Sequence, residues 1–128
     1  MKLKALVLDD SKVMRTMVMK ALEKTKLAKF SFIEARDGLD GLAKFNHEKI
    51  DICFVDWNMP NMSGFDFAKK VRATGSGKNI PIIMVTSEKS MGKMMDAMDQ
   101  AGANGYICKP FTVQELHQKL DPIIKKMK

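Results

Sequence analysis

Short apolar runs alternate with helical patterns along the chain. The runs are "LKALVLD" (3–9), "FSFIEA" (30–35), "DICFVD" (51–56), "PIIMVT" (81–86) and "GYICK" (105–109). They are β-rich and largely without polar alternation, the pattern of strands covered on both faces. Between the first two, Met14, Met17, Val18, Ala21 and Leu22 follow i, i+3, i+4, i+7, i+8 spacing, with Ser11 placed as cap. Further helices are predicted over 39–48, 64–73, 90–102 and 112–127. Thr112 and Glu115 have the spacing of a capping box, and Pro122 predicts a kink or an early end in the last helix. Met91, Met94, Met95 and Met98 form a stripe read as core. Gly92 costs that helix about 1 kcal/mol relative to alanine, so it is loosely specified and able to re-pack.

Five βα units imply a parallel sheet with helices on both faces and right-handed crossovers. The expectation is one three-layer, doubly wound α/β domain over residues 1–128, with no output domain. Ligands in such sheets bind beyond the carboxyl ends of the strands. There the sequence places Asp9 and Asp10 after strand one, Asp56 after strand three, Thr86 and Ser87 after strand four, and Lys109-Pro110 after strand five. Two carboxylates about 4 Å apart repel by roughly 4 kcal/mol at an effective dielectric of 20. Either a cation offsets the Asp9–Asp10 repulsion, or one acid is a strand tip and the other a helix cap.

The net charge of +7 raises a nucleic-acid reading, and its distribution weakens it. Residues 1–29 carry eight basic and three acidic groups, residues 109–128 five and two, and the middle nine and ten. The surplus is spread over several faces of the first and last helices, as on a solvated surface or one that meets an anionic partner. No apolar run nears the ~20 residues of a membrane span, and acids interrupt the opening too early for a signal peptide. A cytoplasmic monomer that neither enters membranes nor binds nucleic acid is expected. Cys53 and Cys108 lack metal-ligand spacing and read as buried free thiols. His47 and His117 read as surface residues.

Magnesium takes octahedral oxygen ligands, commonly one or two carboxylates with waters and a phosphate oxygen. Asp9 and Asp10 suit it, with Asp56 close enough to be ligand or nucleophile. A carboxylate can accept a phosphoryl group, and such transfer needs positioning and charge neutralisation above all. Lys109 and Thr86 are the residue types for that task.

The spacing of Asp9-Asp10, Asp56, Thr86 and Lys109-Pro110 resembles that of response-regulator receiver domains over essentially the whole chain. The stretch "DWNMPNMSG" (56–64) is most similar to the single-domain chemotaxis members of that family. The resemblance implies a flavodoxin-like (βα)5 fold with strand order 2-1-3-4-5. It implies that Asp56 takes phosphate from a histidine kinase. Magnesium would be held by Asp10 and Asp56 directly, by Asp9 mainly through water, and by the Asn58 backbone carbonyl. Lys109 and Thr86 would contact the phosphoryl group, Tyr106 would be an aromatic switch that swings inward, and Asn58 and Glu88 would tune dephosphorylation. The protein would be no enzyme in the usual sense, but a phosphoacceptor able to phosphorylate and dephosphorylate itself. Its partners would be the kinase, a flagellar motor switch protein meeting Tyr106 and Lys119, and a phosphatase. A phosphorelay intermediate is the alternative.

Ser63 stands where the family often has an acid. Rival classes fit less well. A flavin site would need hydroxyls where the first loop has two acids, and an aspartyl-phosphate hydrolase would need a second acid where Asn58 stands. A DNA-binding regulator would need a reading element beyond the fifth helix.

Overall fold

The computed structural model describes residues 1–87 and 90–127. Five strands and five helices alternate: β1 (Lys2–Leu8), α1 (Lys12–Thr25), β2 (Lys29–Ala35), α2 (Gly38–His47), β3 (Ile52–Val55), α3 (Gly64–Arg72), β4 (Ile82–Thr86), α4 (Met91–Asp99), β5 (Gly105–Cys108) and α5 (Val113–Met127). All strand pairs are parallel, in the order β2-β1-β3-β4-β5. The order runs outward from β1 in both directions, so the carboxyl ends of β1 and β3 flank the reversal.

The absence of alternation in the strands has its cause in two cores, one on each face of the sheet. Leu6, Leu8, Val55, Ile82 and Met84 pack with Phe45 of α2, Phe67 and Val71 of α3, and Ala97 of α4. Ala5, Val7, Phe54, Ile83 and Ile107 pack with Val18 and Leu22 of α1 and Leu116, Leu120 and Ile124 of α5. The caps are formed by the residues that predicted them. Ser11 Oγ accepts the Met14 amide at 3.2 Å. Thr112 Oγ1 accepts the Glu115 amide at 3.0 Å while Glu115 Oε1 accepts the Thr112 amide at 3.3 Å. Ser63 accepts the Asp66 amide at 3.1 Å, so the hydroxyl performs the capping task of an acid.

Three expectations need correction. The first is the methionine stripe of α4: Met91, Met95 and Met98 are 72%, 55% and 39% exposed. The inward face of α4 is instead carried by Met94, Ala97 and, just beyond the helix, Ala101, roughly a quarter turn away. The helix is also shorter than 90–102, stopping at Asp99 ahead of Gly102, whose φ of +70° is left-handed. Second, α5 neither breaks nor shortens at Pro122. Leu116 and Leu120 before it and Ile124 after it are all buried against the sheet, and that packing outweighs one missing hydrogen bond.

Third, the two cysteines are not both buried, and they stand at different heights on the sheet. Cys53 is level with Ile82 and Cys108 with Thr86, so a shift of four residues along the strands carries them roughly 16 Å apart. Neither forms a disulfide; Cys53 is buried and Cys108 only half-buried. Burial pushes the Cys53 thiol up to about 12, well out of the reactive range. Among the histidines, His47 is exposed and His117 half-buried.

Candidate functional site

Each site residue is the first one or two beyond a strand, or a strand's last residue, and the backbone fixes where it stands. The Asp9 amide donates to Ala35 O at 3.1 Å, the Asp56 amide to Leu8 O at 3.0 Å and the Lys109 amide to Thr86 O at 2.9 Å. The sheet ladder thus continues one residue past the strands and sets the site's register.

Asp9 and Asp10 then part company. Asp9 is buried, with Oδ1 accepting the Ser11 amide at 2.9 Å and Oδ2 accepting Lys109 Nζ at 2.9 Å. Asp10 is exposed. Asp9 is a turn-capping acid, the cap of α1 being Ser11, and Asp9, Asp10 and Asp56 bring carboxylate oxygens within 4.8 Å of one another. Lys109 Nζ also lies 3.6 Å from Asp56 Oδ2, so one ammonium spans two of the three acids. Against three carboxylates it leaves a net charge of about −2, and oxygen donors of this kind fit a hard divalent cation.

Asp56 is 7% exposed, and Thr86, fully buried at the end of β4, hydrogen-bonds its carboxylate. Burial raises the Asp56 carboxyl above its ordinary value of 3.8, opposed by Lys109, Thr86 and the Trp57 amide and reinforced by the charge on Asp9. The sign of the consequence is fixed. The folded chain holds this proton to higher pH than the unfolded chain, so stability falls as pH rises from 3.8 through the raised value. In metal-free buffer at pH 7, Asp56→Asn should therefore melt several degrees higher than the wild type. The advantage should shrink as the pH falls through the raised value toward 3.8 and be gone below it, where both states are protonated. Thermal melts across that range check it, and equal melting temperatures at pH 7 would refute it.

Two sets of contacts gave no sequence signal. Arg15 on α1 donates through Nη1 to the Asp9 carbonyl at 2.7 Å and through Nε to Glu34 Oε1 at 3.0 Å, bracing the first loop against β2. Trp57 stacks on Phe65 of α3, with centroids 5.1 Å apart and planes tilted by 31°, and the Lys93 ammonium of α4 lies 5.5 Å from the indole centroid. Gly64 was legible only as the start of a helix. Its amide donates to Trp57 O at 2.9 Å, and a Cβ there would overlap the Asp56 carbonyl oxygen. Glycine is demanded by that close approach.

Of the remaining expected residues, Asn58 is exposed on the loop after β3, and Glu88 lies outside the described residues. Lys119 is exposed and lines a groove of about 320 Å³ with Met94, Met98, Tyr106 and Ile123. Tyr106 is only 6% exposed. The expected inward swing starts from a ring that is already inside, packed with Met84 and Ala103 while Thr86 bonds an unmodified Asp56.

The model of the response regulator receiver domain family matches residues 5–121. The chain is 40% identical over 123 residues to the chemotaxis protein CheY1 of Helicobacter pylori, covering 95% of this chain and 97% of that one. In structure it is similar to the chemotaxis protein CheY4 of Vibrio cholerae, with a TM-score of 0.85 and 35% identity over 96% of this chain and 99% of that one. It is also similar, at a TM-score of 0.83 and 25% identity, to the receiver domain of a Pseudomonas aeruginosa sensor histidine kinase. That structure has magnesium coordinated in its active-site cleft, and the match covers 98% of this chain and 99% of that one. No helix among the described residues is long and apolar enough to cross a membrane.

Proposed function

The chain belongs to the response regulator receiver domain family, and on that premise we propose that Asp56 accepts a phosphoryl group from a histidine kinase and that the modified protein signals by binding a partner. The observation that carries this reading is the convergence of Asp56, Thr86 and Lys109 with two further carboxylates on one rim.

An Asp56 carboxylate oxygen attacks the phosphorus of a phosphohistidine. The new P–O bond forms as the P–N bond breaks, and the donor's imidazole keeps the electron pair. Burial raises the energy of the ionised Asp56 and so favours its conversion to an acyl phosphate. Lys109, poised between Asp9 and Asp56, moves onto a phosphoryl oxygen, and the Thr86 hydroxyl donates to another. Asp10, Asp56, the Asn58 carbonyl and, through water, Asp9 would hold a magnesium ion, whose chemistry there would be charge neutralisation for the transferring group. Asn58 borders the approach of the water that later removes the phosphate.

For output, the chemotaxis names of the relatives support a role in chemotaxis, for which a flagellar motor switch protein is the partner and the cytoplasm the setting we assign. The face of α4, β5 and α5, with Tyr106 and Lys119, is the surface for it. The inward Tyr106 is compatible with an unmodified Asp56, so phosphorylation shifts the population of that arrangement instead of creating it.

Incubation with magnesium and acetyl phosphate followed by intact mass measurement tests the central step. The wild type should gain one phosphoryl group; Asp56→Asn, or the wild type with a chelator, should gain none. An unmodified wild type would overturn the reading.

A further inference from the structure

We propose that Lys93 is a positioning residue for the phosphoacceptor, holding Trp57 from α4 while Phe65 holds it from α3. The inference rests on Asp56 as the acceptor. The Trp57 backbone amide hydrogen-bonds the Asp56 carboxylate, so the orientation of the 56–57 peptide is part of the site. That orientation is tied to the indole, and the indole is gripped from two elements. Phe65 lies 5.1 Å away by ring centroids, and itself sits 5.4 Å from the Lys69 ammonium. Lys93 approaches the indole centroid to 5.5 Å.

Lys93 is well placed to hold. It is half-buried, and its amide donates to the Ser90 cap at 3.4 Å, so its backbone is fixed in the first turn of α4. An ammonium over an indole face is the most favourable of the common cation–aromatic pairings. Released from it, Trp57 keeps Phe65 alone and the Asp56 carboxylate loses part of its alignment, which in-line transfer tolerates poorly. The link is reciprocal. A phosphoryl group that draws on the donors around Asp56 changes the Trp57 peptide, and through the ring it changes how firmly the start of α4 is held.

Trp57 is the only tryptophan, so its emission reports the contact directly. Lys93→Met keeps length and helix propensity but removes the charge, and Lys93→Arg keeps a cation able to stack. Without phosphodonor, the acrylamide quenching constant of Trp57 should rise about twofold in Lys93→Met and return to the wild-type value in Lys93→Arg. With magnesium and acetyl phosphate, the phosphorylation rate should fall about threefold in Lys93→Met and recover in Lys93→Arg. Unchanged quenching and rate in Lys93→Met would overturn the inference, as would an arginine variant that behaves like the methionine one. A wild type that takes up no phosphate would instead overturn Asp56 as acceptor.

Discussion

Gly64→Ala should lose about 3 kcal/mol of stability, because the added methyl group meets backbone and cannot be accommodated by a side-chain rotation. The neighbours it would strike are the Asp56 carbonyl and the Val55 side chain, both anchored in the sheet. Relief requires the α3 start to move outward, breaking the Gly64 amide bond to Trp57 O. The loop that carries the Asp56 carboxylate moves with it. In a domain of this length the loss corresponds to a fall of roughly 10 °C in melting temperature. Urea unfolding should show a lower midpoint at an unchanged slope, with Trp57 emission altered in the folded baseline. A midpoint equal to the wild type's would mean that the close approach is easily relieved.

Arg72→Ala is the second large effect, at about 3 kcal/mol, and it acts at the opposite end of the sheet. The guanidinium donates to Gly102 O from Nε at 3.1 Å and from Nη2 at 2.8 Å. Nη1 reaches Gly77 O at 2.7 Å and Ile80 O at 2.6 Å, and Nη2 also reaches Asn104 Oδ1 at 2.7 Å. One side chain therefore fastens the α3–β4 and α4–β5 connections together. Its loss leaves three carbonyls and an amide oxygen short of a charged donor, each costing on the order of 1 kcal/mol or more where water cannot reach. Arg72→Lys should recover less than half, since a single ammonium cannot span that fan of acceptors. Full recovery by lysine would sink the account.

How far the sequence could carry the reading is clearest at particular residues. β4 was legible to within a residue because both of its faces are buried, and a run such as "IIMVT" has no polar position to mislead. Asp9, Asp56, Thr86 and Lys109 were legible because a parallel sheet puts all its carboxyl ends on one rim. Periodicity gave the arc that α4 could bury, but not which part of that arc faces inward. That depends on where the chain enters and leaves, and Met91, Met95 and Met98 fell on the wrong side of it. Pro122 misled because a local cost of helix geometry was set against packing that the sequence does not display. The contacts of Arg15, Arg72 and Lys93 link positions 6, 30 and 36 residues apart across loops, where no period exists to betray them. The inward Tyr106 was out of reach for another reason, since a sequence does not say which rotamer a side chain occupies.

The outward methionines of α4 also set how the molecule ages. Thioether sulfur takes up oxygen from peroxides to become a polar sulfoxide, at a rate governed by access. Met91 and Met95 stand well out in solvent, whereas Met84 in β4 is fully enclosed. Oxidative wear therefore begins at the exposed thioethers, Met91 and Met95 of α4 together with Met17 of α1 and Met1, and reaches the centre last, so a preparation stored in air loses the chemical character of those surfaces while its fold is still intact.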